Sequence, residues 1–459
     1  MYTINFNQPI HIHFIGIGGI SMSGLAEVLL QRNFTVSGSD ARESTLTKEL
    51  ASKGAVIHYP QAAANITDTI DVVVYTAAIH PDNPEFAACV SKNIPMLTRA
   101  ELLGQMMDNY ETPIAVAGTH GKTTTTSMIS HVLMACDADP TISVGGILPS
   151  IGGNIRVGHS GTFLTEACEY TNSYLSFRPK ISIILNVDAD HLDFFKDLDA
   201  IYASFRQFAE LVPADGALII NADTDRVDEL TRELPCRVVT YGLEASAEFC
   251  AADIAYDELG CGSFTALRNG QTLGRFTLSV PGIHNVSNAL ASIALACVLD
   301  LDLSSVQQGL TEFRGTDRRF QYKGKVGDVT IIDDYAHHPT EIAATLKAAA
   351  NYPHKELWCV FQPHTYTRTK ALLPEFAEAL SGADHVVLAD IYAARETDTL
   401  GISSGDLKEL IDAKGCDCHY LPSFEEIETF LLEHCSPGDL LITMGAGDVV
   451  NIGNMLLGM

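Results

Sequence analysis

The run Gly118-Thr119-His120-Gly121-Lys122-Thr123-Thr124-Thr125 gathers the groups that hold a polyphosphate. It lies between an apolar stretch that reads as a strand, Pro113 to Ala117, and a Thr-rich stretch that reads as the start of a helix. Gly118 and Gly121 let the backbone curl until its N–H groups face one point, and the helix N-terminus adds partial positive charge there. Lys122 has the reach for β- and γ-phosphates, and the Thr123 hydroxyl suits a Mg2+ ion. The spacing is not that of the ordinary Walker A loop, which wants a glycine where Val116 stands.

Chemistry on a bound triphosphate must neutralise crowded negative charge, which divalent cations do through oxygen ligands near the loop. Two downstream segments offer donors at strand ends. Glu166-Ala167-Cys168-Glu169 places two carboxylates three residues apart after the strand Phe163 to Thr165, although such acids also occur as solvated loop residues. Asn186-Val187-Asp188-Ala189-Asp190-His191-Leu192-Asp193 follows the strand Ile181 to Leu185. A lone histidine is more often a bystander than a ligand. His191 would have to be neutral to bind a metal, which makes that binding pH-dependent.

These groups need a frame. Residues 10 to 15 read as a strand, followed by a Gly-rich turn and a helix through about Gln31. Phe34 to Ser37 and Val72 to Tyr75 are further strands, and the polar stretch from Gly104 to Glu111 closes a first unit. The second unit holds the phosphate loop, a strand at Ala217 to Ile220, short antiparallel strands after Tyr241 with a turn at Asn269-Gly270, and a helix from about Asn285 to Val298. A third unit begins near Arg314. It has strands at Val329 to Ile332, Leu357 to Phe361, Val386 to Leu388 and Leu440 to Thr443, a helix from Pro339 to about Ala350, and a last helix opened by Gly445-Ala446-Gly447. Strands alternating with helices predict an α/β fold of parallel sheets, here three consecutive domains over 1–107, 108–313 and 314–459.

Composition narrows the classes. The 459 residues carry 29 Lys and Arg against 57 Asp and Glu, a formal charge of −28, which argues against non-specific nucleic-acid binding and a polybasic membrane anchor. Apolar residues make up 46% and charged residues 19%, so each unit can bury a core. Eleven scattered cysteines, with Cys416 and Cys418 a lone pair lacking a zinc partner pair, suggest free thiols. With no basic leader and no long apolar run, the expectation is a soluble cytoplasmic protein.

The form Gly-Thr-His-Gly-Lys-Thr resembles the ATP loop of the Mur ligase family, which builds the peptide of the cell-wall precursor. The family's three domains (UDP-substrate domain, ATPase domain with a parallel sheet and a small antiparallel part, C-terminal Rossmann-like domain) match the three units read above. The resemblance implies that Gly118, Thr119, His120, Gly121, Lys122, Thr123 and Thr124 hold ATP, and that Thr123, Glu169 and His191 hold Mg2+, with Mn2+ able to substitute. Glu166 would support Glu169. It implies further that Asn288, in Gly282-Ile283-His284-Asn285-Val286-Ser287-Asn288, hydrogen-bonds the adenine, whose edge wants both a donor and an acceptor. Asn285 belongs to the same motif, or is simply an N-cap.

In the third unit the resemblance assigns Arg319, of Arg318-Arg319-Phe320, to the phosphates and Asp334 to the nucleotide. Tyr335, His337, His364 and Arg368 would form the amino-acid pocket. Some relatives carry Arg where this chain has Thr365. Lys122, Glu169, His191, Arg319, His337 and Arg368 are the groups expected to carry the chemistry. Family members that add later residues have a carbamylated lysine shortly after the metal-binding histidine. The absence of Lys between Leu198 and Ala209 therefore favours the alanine-adding branch, with UDP-N-acetylmuramate and L-alanine as substrates and a monomer or weak homodimer as the working form.

The first unit carries Gly16-Ile17-Gly18-Gly19-Ile20-Ser21, a poor dinucleotide fingerprint because Ser21 stands at the third glycine position, with Asp40 where a ribose-binding acid would be. A dehydrogenase is the rival reading, but one such turn does not explain the phosphate loop or the motifs of the third unit. By resemblance, Gly16, Gly18, Gly19, Ser39, Asp40, Thr76 (in Thr76-Ala77-Ala78-Ile79) and Arg99 bind the UDP-sugar, with the Gly18 and Gly19 N–H groups receiving its diphosphate. A ligase that recycles a whole tripeptide onto the same sugar nucleotide, and a nucleotide-sensing protein without turnover, are the other readings.

Overall fold

Short β-branched runs flanked by amphipathic helices build three separate sheets. The computed structural model describes residues 2–76, 78–192, 194–243, 246–394, 396–397 and 400–459. Ala77 and Asp193, part of two segments quoted above, lie outside the described residues. The first sheet runs Val56–His58, Thr35–Ser39, His11–Ile15, Val72–Tyr75, Met96–Thr98, all parallel. Val72, Val73 and Val74 are fully buried because both faces are covered, as parallel sheets require. The helix Arg99–Met107 is fixed by a capping box between Thr98 and Glu101, so Gly104 lies inside a helix and not in a polar boundary.

The second sheet has ten strands. Its parallel centre, in spatial order, is Arg237–Gly242, Ala217–Asn221, Ile181–Ile184, Thr112–Ala117, Thr162–Glu166 and Thr141–Leu148. Phe249–Tyr256, parallel to Arg237–Gly242, extends one edge and is followed by Cys261–Arg268 and Gln271–Pro281, each antiparallel to the strand before it, while antiparallel Gly153–Arg156 extends the other edge. Asn269 and Gly270 make the expected hairpin turn with φ of 50° and 78°. The chain leaves Thr112–Ala117 toward one side and later returns on its other side, which makes the C-terminal end of this strand a switch point where open α/β sheets bind ligands.

The third sheet runs Gln321–Val326, Val329–Asp334, Leu440–Met444, Leu357–Phe361, His385–Leu388, Asp417–Tyr420, parallel except for the first strand. The last helix is Val450–Leu456. Gly445-Ala446-Gly447 therefore does not open it but forms a loop, where Arg318 donates to the carbonyls of Gly445 and Gly447.

The cores are distributed unevenly. One apolar cluster joins the first sheet and its helices to the central domain, from Ile12, Leu25 and Leu103 through to Phe163, Tyr174 and Phe205. The third sheet instead has its own clusters, one on each face.

Candidate active site

The phosphate loop has the two glycines it needs. Gly118 has φ +146°, and a Cβ there would come within 2.9 Å of the Leu185 side chain. Gly121 has φ +83°, and a Cβ would stand 3.1 Å from Asn288 Oδ1. Any larger residue would be strained and would narrow the loop. The loop is braced by a residue the sequence reading passed over. Asn186 accepts from the His120 N–H at 2.8 Å and donates to the His120 carbonyl at 3.0 Å, while its own carbonyl receives the Thr119 N–H.

Lys122 folds back on this loop. Its Nζ donates to the carbonyls of Gly118 and Thr119 and to Glu169 at 2.9 Å, and Glu169 is only 2% exposed. Burial disfavours the ammonium, but Glu169 outweighs it and the Lys122 pKa is raised. Thr123 Oγ1 donates to Glu166 at 3.1 Å, and Glu166 also accepts from the Gly145 N–H. Burial pushes the Glu166 carboxyl up.

His191 adopts a left-handed backbone, φ 53°, that turns its Nε2 to 3.8 Å from Glu169. Burial lowers its pKa despite Asp190 and Glu169, so the ring is neutral, as metal ligation demands. Thr123, Glu166, Glu169 and His191 thus form an oxygen-rich set with one imidazole, a donor chemistry that fits a hard divalent ion beside phosphates. The His/Asp group with donor atoms nearest one another, among the described residues, is a different one: His120, Asp188 and His338, all within 4.8 Å. There His120 is committed as a cation between Asp188 (3.1 Å) and Glu341 (3.2 Å). Burial opposes its charge, but the two carboxylates raise its pKa to about 9.

A cavity of about 440 Å³ opens from the loop between the central and third domains. Thr124, Asn285, Asn288, Arg319 and Asp334 line it, as does Thr224, whose buried hydroxyl has no hydrogen-bond partner among the described residues. Asn285 is inside the helix Ile283–Val298 and donates to the Pro281 carbonyl, so it is not the N-cap; Gly282 is. Asn288 donates to Asn285 Oδ1 at 3.2 Å. The paired arginines divide their work. Both stand over the Tyr335 ring, but Arg318 is bound to Asp333 at 3.0 Å, whereas Arg319 lines the cavity. Asp334 accepts from the N–H groups of Phe320 and Ala336, and burial pushes its pKa up to about 6 against the pull of Arg319.

A second cavity of about 390 Å³ adjoins His191 and contains Tyr335, His337, His364 and Arg368, together with Tyr170 and Asp190, which the sequence reading did not single out. Burial lowers the His337 pKa to about 4, and its Nδ1 lies 3.1 Å from the Tyr335 carbonyl. Arg368 already has partners at this cavity: it donates to Asp190 at 2.9 and 3.1 Å and reaches His364 Nδ1 at 3.1 Å. Thr365 borders the same cavity with φ 67°.

In the first domain two expected donors are already used. The Gly18 N–H donates to Asp40 at 2.8 Å and the Gly19 N–H to the Gly16 carbonyl at 3.2 Å. Gly16 has φ +82°. Ser39 is turned inward, its hydroxyl donating to Glu85, and is fully buried. The Thr76 hydroxyl accepts from the Ala78 N–H. Arg99 donates to Ser21 Oγ at 3.0 Å at the start of the helix Ile20–Gln31, and Asn154 of the central domain donates to the Ile20 carbonyl. The Gly-rich turn of the first domain and the central domain are therefore in direct contact.

Comparison with known proteins agrees with this arrangement. Three family models match in chain order: "Mur ligase family, catalytic domain" over residues 11–111, "Mur ligase middle domain" over 116–296 and "Mur ligase, glutamate ligase domain" over 318–447. The UDP-N-acetylmuramate–L-alanine ligase of Agathobacter rectalis is 64% identical over 457 residues, and that of Lachnospira eligens 60% over 458, each covering 100% of both chains. The crystal structure of the UDP-N-acetylmuramate–alanine ligase of Thermotoga maritima superposes with a TM-score of 0.81 at 30% identity over 98% of both chains. A murein peptide ligase of Psychrobacter arcticus gives 0.71 at 27% identity over 98% of both chains. A chain matched along its whole length by such relatives, and by the family's three domain models in their order, belongs to the Mur ligase family.

Proposed function

We propose that this chain joins L-alanine to the carboxylate of UDP-N-acetylmuramate with cleavage of ATP, in the synthesis of peptidoglycan precursors. The observation that carries the reading is the meeting of two domains at two cavities. Thr124 and Asn288 of the central domain share one with Arg319 and Asp334 of the third, His191 shares the other with His337 and Arg368, and near-full-length relatives at 60–64% identity bear the name UDP-N-acetylmuramate–L-alanine ligase.

A carboxylate repels nucleophiles, so it is first phosphorylated. The muramoyl carboxylate attacks the γ-phosphate, ADP leaves, and the amine of alanine attacks the resulting acyl phosphate. The tetrahedral intermediate then expels phosphate. The work of the protein is positioning and charge stabilisation. Lys122 exchanges Glu169 for the β- and γ-phosphates. Thr123, Glu169 and His191 would hold Mg2+, which would supply charge neutralisation beside the phosphates. Arg319 adds a second positive group from the third domain, and Asn288, Asn285, Thr224 and Asp334 surround the nucleoside. His337 donates its Nδ1–H to the Tyr335 carbonyl, which leaves Nε2 to accept from the amine. Arg368 shares its guanidinium between Asp190 and the alanine carboxylate. Arg99, Thr76 and the first N–H groups of the helix Ile20–Gln31 receive the sugar nucleotide, and Gly18 joins them when Asp40 lets go.

The test is phosphate release from Mg-ATP with UDP-N-acetylmuramate, with and without L-alanine, followed by product mass. Turnover that needs both substrates and adds one alanine residue supports the reading. Turnover only with a tripeptide moves the chain to the recycling reaction, which the murein peptide ligase fold makes the second choice. Lys122→Ala is expected to keep the fold and to lose roughly 3–4 kcal/mol of transition-state stabilisation, a rate drop above about a hundredfold. Near-normal turnover by that variant would remove the loop assignment.

A further inference from the structure

We infer that Glu85, a buried carboxylate on the face of the first sheet opposite the main core, positions the turn that receives the sugar nucleotide. This rests on the function proposed above. The sheet has two unlike faces. Ile12, Phe14, Val36, Val72 and Val74 point into the large apolar cluster. With the two-residue period of a strand, His11 and His13 share the other face, as do Ser37 and Ser39 of the neighbouring strand, and the parallel register pairs His13 with Ser37. His11 Nε2 and His13 Nδ1 both lie within 2.9 Å of Ser37 Oγ.

Glu85 closes this polar row from the helix Pro84–Lys92, where it stands in the first turn behind the N-cap Asn83. It is fully buried. Its Oε2 accepts the Ser39 hydroxyl at 2.5 Å and lies 3.5 Å from His13 Nε2. Its Oε1 accepts from Asn65 Nδ2 at 2.7 Å and from the Ala62 N–H at 3.2 Å. Burial would raise its pKa, but His13, Ser39 and Asn65 overcome this and lower it, so the group is a carboxylate with several converging donors.

What Ser39 does next gives the arrangement its meaning. Its carbonyl accepts the N–H groups of both Gly16 and Ile17, at 2.9 and 3.0 Å, and the next residue, Asp40, holds the Gly18 N–H. Glu85 therefore grips the end of the strand Thr35–Ser39, and that strand end holds three consecutive N–H groups of the turn. The same carboxylate ties down the 62–65 segment, which follows the strand Val56–His58; the His58 carbonyl there accepts the Asp40 N–H. Glu85 is far too buried to touch substrate. It acts through Ser39 and Asp40, as a positioning residue.

The experiment is calorimetric titration of UDP-N-acetylmuramate into the full chain and its Glu85→Gln and Ser39→Ala variants, with KM measured for all three substrates. A neutral glutamine must turn an N–H toward the Asn65 and Ala62 donors or toward Ser39. Glu85→Gln is therefore expected to weaken sugar-nucleotide binding and raise its KM about tenfold, with KM for ATP and L-alanine and kcat within about twofold. Ser39→Ala is expected to cost about threefold in the same constant alone. Unchanged binding in Glu85→Gln, or an equal rise in all three KM values, would overturn the role. Should Glu85→Gln not fold, Ser39→Ala decides, and wild-type affinity there is the overturning result. Wild-type protein that fails to bind the sugar nucleotide removes the functional reading and this role with it, whereas normal wild-type binding with unchanged variants removes this role alone.

Discussion

The two interfaces of the central domain are built from opposite materials. Against the first domain it is apolar and continuous: Leu103 and Met106 share one cluster with Phe163, Tyr174 and Phe205, and Gly104 lets the Ser176 carbonyl approach so closely that a Cβ would stand 1.9 Å from it. Against the third domain the described contacts are largely charged and polar. Arg368 meets Asp190, His120 meets Glu341, Thr340 donates to Asp188 at 2.7 Å, and His338 lies 3.0 Å from the Ala189 carbonyl. A dry, interlocked seam resists opening because every exposed methylene costs free energy. A set of directional ion pairs forms and breaks as units. The first two domains are thus expected to move as one body, with the third as the part that opens to admit nucleotide and closes over it.

The sharpest way to break this comparison is Asp190→Ala. It strands the Arg368 guanidinium, 11% exposed, without its partner, a loss of about 3 kcal/mol for a buried pair. Small-angle scattering should then show an expanded particle, while unfolding of the first two domains stays unchanged. An unchanged radius of gyration would mean that contacts other than ion pairs hold the third domain. Gly104→Ala attacks the other seam, where overpacking costs roughly 1–3 kcal/mol. Calorimetry should lower the transition of the joined first and second domains and leave that of the third in place. Equal shifts of both would erase the distinction.

The smallest expected effect is that of pH. His120 has its pKa raised to about 9 from the usual 6.5, so its contribution to closure is fully present below about 6.5 and is lost as pH rises through about 9. Scattering between pH 7 and 10 should show the particle loosening, and His120→Asn should flatten the dependence. The apolar seam has no such term, so a Gly104→Ala transition that moved with pH over the same range would contradict the contrast.

Much of this was legible in the residues. The phosphate loop, with its two obligatory glycines, reads directly because its backbone demand falls on residue type. Central strands such as Val72–Tyr75 and Leu357–Phe361 read well because burial on both faces leaves uninterrupted apolar runs. Peripheral strands did not. Asp417–Tyr420, at the edge of its sheet, has one buried residue, and Thr141–Leu148, next to the edge strand Gly153–Arg156, is broken by Gly145-Gly146, so neither carries a clear period. Nor did composition reveal which of two neighbouring like residues does the work: Arg318 turned out to be a strut for Gly445 and Gly447, while Arg319 faces the cavity. Asp190, Asp188 and Glu341 were missed as partners because their significance lies in pairs formed across domains, which one-dimensional spacing does not express. The occupied N–H group of Gly18 is a similar case, a hydrogen bond decided by where a distant carboxylate falls, while that of Gly19 is taken locally by the Gly16 carbonyl.

The resting place of Lys122 has a consequence for how the site is filled. With its ammonium on Glu169, the loop carries its own counter-ion and stands locally neutral before any ligand arrives. Lys122 cannot leave for a phosphate without abandoning a carboxylate that is 2% exposed, a costly vacancy in the absence of another cation. Loading is therefore an ion exchange. A bare polyphosphate can claim the lysine only by stranding the acid, whereas one that brings a divalent cation lets both partners change hands at once. On the proposed function, selectivity for the metal complex over the free nucleotide is then expected to follow from the protein's internal charge balance, before any step of the reaction has begun.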